Sequence, residues 1–237
     1  MKLTPDHVAR VARKFDEPTF PPGMTFASAE DHDANKRAIL AARDSDGDVW
    51  IFAYGSLIWN PGFAFVEQRT GILYGWHRSF CLGWDNWFRG NHEQPGLMLS
   101  LDRGGQCKGV LFRLPPDAVE ENLVRLSERE LRFRPSAHAP RWVNVATEAG
   151  RVRAIAFAID RNGGRYVSGL PIERIADVLA CAVGHRGSTA EYLHNTVRHL
   201  EELGIRDRHL WRLQEMVAER IEAGAVKKGA ATIDVAV

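Results

Sequence analysis

The chain has 237 residues, 45% hydrophobic and 26% charged, enough for a substantial core, and its 7 Trp and 11 Phe argue against disorder over most of the length. Its 31 Lys and Arg stand against 30 Asp and Glu, a net charge of +1 that gives no electrostatic pull toward nucleic acid or a membrane surface. Three widely spaced cysteines, Cys81, Cys107 and Cys181, form no Cys-x-x-Cys, which excludes a zinc ribbon or dithiol motif and points to a reduced, cytoplasmic setting.

Residues 1–48 read as an N-terminal helical extension. Thr4-Pro5 starts a helix with Val8, Val11, Ala12 and Phe15 on one face, and the stretch Glu17–Gly23, with three prolines, breaks it. A second, mostly polar helix is expected over Glu30–Arg43. Asp44-Ser45-Asp46-Gly47-Asp48 imitates the opening of an EF-hand loop, but its glycine stands fourth instead of sixth, and its twelfth position is Gly55 where a Glu is needed. A polar turn is the better account. No leader is expected behind Lys2, and no apolar run approaches the length of a membrane span.

The main domain is expected over 49–224. After the buried strand that opens at Val49, strands are predicted at Gly71–Leu82, Leu97–Leu101, Lys108–Leu114, Arg141–Thr147 and Val152–Ile159, with Gly104-Gly105 and Asn162-Gly163-Gly164 as turns. A helix is predicted over Asp117–Leu131, and three more over Pro171–Val183, Ser188–Leu203 and Asp207–Ala223. Ser188-Thr189-Ala190-Glu191 has the form of a capping box and Gly204 that of a helix stop. The tail 225–237 has few constraints. Strands followed by helices, without regular alternation, indicate an α+β fold.

Two places in this pattern carry chemistry. The apolar run Val49–Ala53 stops at Tyr54-Gly55-Ser56, which puts free N–H groups and a hydroxyl at the end of a rigid strand, a setting suited to an anionic ligand. On the helix over Asp117–Leu131, Val119, Leu123 and Leu126 form an apolar stripe whose next member is Glu130, while Glu121 and Glu128 face outward. A carboxylate sent inward is either paired with a neighbouring arginine (Arg129, Arg132 and Arg134 are near) or held for proton transfer with its pKa raised from about 4.3. The helix pattern alone leaves both open.

With Tyr54-Gly55-Ser56-Leu57-Ile58-Trp59 and Arg129-Glu130 together, the chain resembles the ChaC family of γ-glutamylcyclotransferases. Further matching pieces follow in order: Gly75-Trp76-His77-Arg78-Ser79-Phe80, Arg89-Gly90 with Pro95-Gly96, Lys108-Gly109-Val110, Pro140-Arg141-Trp142-Val143 and Tyr192-Leu193 with Thr196. The resemblance spans roughly 49–216. It implies a small mixed β-barrel-like fold with flanking helices, and cleavage of glutathione into 5-oxoproline and cysteinylglycine without metal or other cofactor. It makes Glu130 the catalytic acid/base, Phe52, Ala53, Tyr54, Gly55, Ser56 and Leu57 the cradle of the γ-glutamyl group, and Tyr192 a substrate contact. A small γ-glutamyl molecule is the implied partner.

Two departures stand out. After Arg-Glu the family usually has a short Thr-Gly-x-Tyr stretch, where this chain has Leu131–Ala139, and Phe88 takes the place of a common His. The first alters the wall beside Glu130, which keeps other γ-glutamyl amines or dipeptides open as substrates and leaves a non-catalytic binding module as a further alternative. Among other candidates, Ser56 lacks the Gly-x-Ser-x-Gly elbow of a nucleophile and reads as a hydrogen-bonding loop residue. Arg89 and Arg141 are read as surface or structural residues or as partners of a substrate carboxylate. The nine histidines read as surface or structural residues.

Overall fold

The computed structural model describes residues 1–17, 23–44 and 46–224. Pro18, Pro21 and Pro22 of the expected break, Ser45 of the acidic turn and the tail 225–237 lie outside the described residues. In chain order the elements are α1 (Pro5–Val11), β1 (Thr25–Phe26), α2 (Ala29–Ala41), β2 (Trp50–Ala53), α3 (Ser56–Trp59), β3 (Glu67–Asp85), β4 (Gly96–Arg113), α4 (Val119–Glu130), β5 (Phe133–Arg134), β6 (His138–Thr147), β7 (Gly150–Ile159), α5 (Ile172–Cys181), β8 (Val183–Gly184), β9 (Gly187–Ser188), α6 (Thr189–Glu202) and α7 (Arg208–Glu222). Among the described residues no helix is long and apolar enough to cross a membrane.

The described residues divide into two compact units, one drawn from 23–79 and 99–166, the other from 1–17, 80–98 and 167–224. The first is built on a closed five-stranded barrel in the order β2-β4-β3-β6-β7, so the expected α+β class and barrel are both present. β2 runs antiparallel to β4, with Phe52 opposite Leu111, and parallel to β7, with Trp50 opposite Ala154. The β6–β7 hairpin keeps one register from Thr147↔Gly150 to His138↔Ile159. Trp50, Phe52, Tyr54, Leu101, Leu111 and Val145 pack with Ala154, Ala156 and Ala158 in a single core cluster. All four residues of β2 are buried, which is why that strand reads as an unbroken apolar run.

β4 corrects one expectation. Gly104-Gly105 does not end a strand there; both glycines take positive φ, 101° and 65°, and the strand continues through them. Gly109, further along β4, answers to close approach instead. A Cβ at that position would stand 2.5 Å from the Ala53 carbonyl oxygen and 2.7 Å from the Phe52 ring. Gly109→Ala is therefore expected to destabilise the protein by about 2 kcal/mol through overpacking, read as a lower urea midpoint. An unchanged midpoint would mean that β2 and β4 can part without loss.

α2 and α4 pack together in this unit. Ser127 on α4 hydrogen-bonds His32 Nδ1 at 2.9 Å and receives a bond from Asn35 Nδ2 at 3.0 Å. Lys36 Nζ reaches Glu120 at 3.0 Å. β1 pairs with β5, Phe26 opposite Phe133, and Arg134 pairs with Asp31.

In the other unit α5, α6 and α7 pack their apolar stripes on one another, and α1 lies against α6 and α7. The buried Gln214 side chain accepts the Lys2 and Leu3 N–H groups at 2.8 and 2.7 Å, fixing the start of the chain. Ser188 caps α6 by accepting the Glu191 N–H at 3.0 Å, and Gly204 closes that helix with φ 67°. The Glu191 carboxylate does not complete the expected capping box; it pairs with Arg89 Nη1 at 2.5 Å.

Candidate active site

Where β2 ends, Tyr54 and Gly55 lead straight into α3, whose own bonds are Ile58 N–H to Gly55 O and Asn60 N–H to Ser56 O, each 2.9 Å. The first N–H groups of a helix have no acceptor within it, so the amides at Gly55–Leu57 lie at the open end of the turn. The turn is held in place from two sides. Tyr54 Oη donates to the Phe157 carbonyl at 2.7 Å. The buried Arg78 guanidinium donates through Nε to the Tyr54 carbonyl at 3.0 Å and through Nη2 to the Lys108 carbonyl.

Of the six strand-end residues named from the sequence, Phe52 and Tyr54 send their side chains into the barrel core, and Ala53, Gly55 and Leu57 are buried. Ser56 alone is partly open. Its hydroxyl receives a bond from Arg129 Nη2 at 3.1 Å, and a second arm of the same guanidinium binds the Asn60 carbonyl. Arg129 Nε meanwhile donates to Glu130 Oε1 at 3.0 Å. One arginine thus ties the strand-end turn to the carboxylate.

Glu130 closes α4. Its side chain is 12% exposed, against 71% for Glu120 and 64% for Glu121 on the same helix. The inward direction expected from the apolar stripe is the one observed. Of the two sequence alternatives, the pairing with an arginine is present on one oxygen: Oε1 carries Arg129, and Oε2 faces His138 Nδ1 at 3.7 Å. Arg134, another of the nearby arginines, binds Asp31 instead.

His138 is the residue that sequence reasoning passed over. It opens β6, inside the segment that departs from the usual family pattern, and its side chain is 9% exposed. The Ser136 hydroxyl fixes its main chain, donating to the His138 carbonyl at 2.9 Å and accepting its N–H at 3.2 Å. Burial pushes the imidazole pKa below the usual histidine value of 6.5, outweighing the upward pull of the Glu130 carboxylate and main chain; Arg165 adds to the depression. The ring is therefore neutral at neutral pH.

Arg78 was visible in the sequence only as part of a strand motif, without a role. Arg89, once a candidate for a substrate carboxylate, binds Glu191 and the Ser188 carbonyl. Tyr192 belongs to the helical unit, on α6, where its ring meets Phe80 edge-on at 6.3 Å and the Arg89 guanidinium lies 5.7 Å from its centre. Arg141 lines a cleft of about 500 Å³ in the barrel unit, with Trp76, Arg103, Asp160 and Tyr166.

A family model described as ChaC-like protein matches residues 49–220. The chain is 40% identical to a glutathione-specific gamma-glutamylcyclotransferase of Escherichia coli, over 85% of this chain and 88% of that one. It is 32% identical to the human glutathione-specific gamma-glutamylcyclotransferase 1, over 70% of this chain and 78% of the relative. In fold it is similar to the crystal structure of a yeast gamma-glutamylcyclotransferase specific to glutathione, with a TM-score of 0.65 at 19% identity, covering 73% of this chain and 96% of the other.

Proposed function

The chain belongs to the ChaC-like family of γ-glutamylcyclotransferases, and from that premise we propose that it cleaves glutathione into 5-oxoproline and cysteinylglycine with Glu130 as general acid/base. The observation that carries this reading is the joining of a largely buried carboxylate to the strand-end turn through Arg129.

In a γ-glutamyl peptide the nucleophile is the substrate's own α-amine. It attacks the γ-carbonyl carbon, a five-membered lactam closes, and the bond to the cysteinyl nitrogen breaks. The protein has to fold the substrate so that amine and carbonyl meet, take a proton from the α-ammonium, steady the oxyanion and return a proton to the departing nitrogen. Holding the reacting atoms together accounts for several kcal/mol of the barrier by proximity alone. With Oε1 occupied by Arg129, Oε2 is the oxygen that accepts the ammonium proton and then delivers it to the leaving amine.

The amides at Gly55–Leu57 and the Ser56 hydroxyl suit the oxyanion or a substrate carboxylate, with Phe52, Ala53 and Tyr54 holding that turn rigid from the core. Tyr192 is proposed as a further substrate contact on the strength of the resemblance. The reaction is placed in the cytoplasm, where glutathione is kept reduced.

Purified protein given glutathione is expected to release 5-oxoproline and cysteinylglycine in equal amounts. The Leu131–Ala139 segment, which differs from the usual family pattern beside Glu130, favours running a panel of γ-glutamyl dipeptides and amines in parallel. Turnover of those compounds with none of glutathione would move the substrate to a sister specificity. No turnover of any would leave only a binding module.

A further inference from the structure

Three other histidines with largely covered rings, His7, His32 and His185, are tied into the fold by hydrogen bonds. His7 is bound by Thr4 and Glu222, and His32 by Ser127; His185 Nδ1 meets the Trp87 carbonyl at 2.6 Å. His138 differs. Its Nδ1 is turned toward Glu130 Oε2 at 3.7 Å, and its Nε2, fully buried, has no hydrogen-bond partner among the described residues. Leaving a buried polar nitrogen unpaired is costly, so a ring kept only for packing is better replaced by a phenyl group.

We infer that His138 is a positioning residue for the catalytic carboxylate: as a neutral imidazole it steadies Oε2 of Glu130, and once protonated it holds that oxygen as an ion pair and withdraws it from proton transfer. This rests on the reading of Glu130 as the acid/base. Arg129 supplies a fixed positive charge to Oε1 at every pH, so a second, permanent cation on Oε2 would leave the carboxylate a poor base. A titrating ring avoids that. The charged groups around the imidazole are Glu130 at the end of α4, with Arg129 behind it, and Arg165 from the segment following β7. The carboxylate favours the imidazolium, Arg165 opposes it, and burial opposes it most.

The sign follows directly. At neutral pH the ring is uncharged and Oε2 is available; as the pH falls through the depressed His138 pKa the imidazolium forms, pairs with Oε2 and turnover declines.

The test pairs two substitutions with a titration. His138→Phe removes both nitrogens and is expected to lower kcat about tenfold to a hundredfold, with KM changed less than about threefold. His138→Asn returns an amide N–H near the position of Nδ1 and is expected to recover most of the loss, while losing the part of the acid limb that follows the imidazolium. Should His138→Phe fold poorly, the His138 ring proton followed by NMR gives an independent reading, the resonance being assigned by its absence in His138→Asn. Its pKa is expected to fall further in Glu130→Gln, because the attracting charge is gone.

A His138→Phe enzyme with unaltered kcat and pH profile overturns the inference, as does a His138 titration indifferent to Glu130→Gln. If instead Glu130→Gln keeps its turnover, the reading of Glu130 itself falls.

Discussion

Glu130→Gln is expected to lower glutathione turnover about a thousandfold while leaving glutathione affinity within a few-fold of the parent enzyme. The substitution is nearly isosteric, and the amide oxygen can still accept the Arg129 Nε bond now made by Oε1 at 3.0 Å. The Arg129 link to the Ser56 hydroxyl is then preserved, so the strand-end turn keeps its place. What is removed is the capacity of Oε2 to take and return a proton. The separation of kcat from binding is the decisive readout: 5-oxoproline release measures the first and calorimetric titration with glutathione the second. A Gln variant that retains turnover would sink the mechanism, and one that loses affinity and turnover together would assign Glu130 to binding.

Arg78→Met is expected to be the most damaging single change to the scaffold, at about 3 kcal/mol of stability. Arg78 is 5% exposed, and its guanidinium donates to the Tyr54 and Lys108 carbonyls, bridging the end of β2 to β4. Methionine replaces the apolar stem but offers neither donor, so the buried Tyr54 carbonyl and the part-buried Lys108 carbonyl lose this partner at once. Lysine is no remedy, since a single ammonium cannot span both acceptors as the planar fork does. Urea unfolding followed by tryptophan fluorescence measures the loss, and an unchanged midpoint would show that the bridge contributes nothing. Because Tyr54 precedes the turn into α3, turnover is expected to fall even under conditions where the variant is folded.

The sequence made the barrel and its site legible where pattern and chemistry coincided. The run Val49–Ala53 is unbroken because β2 is buried throughout, and Glu130 lies inward because it continues the stripe of Leu123 and Leu126. Helix ends were readable to within a residue or two from Pro5, Ser188 and Gly204, where caps have a specific chemical form. Gly104-Gly105 misled because two glycines signal conformational freedom and not its use; here the freedom serves a strand that continues.

The partners of Glu130 were harder to see. Three arginines lie near it in sequence, and only the arrangement of α3 against the end of α4 selects Arg129 over Arg134. His138 is eight positions away on a different element, and a lone histidine in an irregular stretch carries no periodic signal. Its position was nonetheless marked, as part of the segment in which this chain leaves the usual pattern.

The pairing of β1 with β5, and the packing of α2 on α4, tie the N-terminal segment to the element that carries Glu130. Residues 25–41 lie along β5 and α4, and Ser127, three positions before Glu130, is bonded by both His32 and Asn35. The N-terminal segment and the stretch 131–134 are therefore parts of one packed patch behind Glu130. Deleting residues 25–41 would strip β5 of its pairing strand and Ser127 of both these bonds, loosening the helix end that presents the carboxylate.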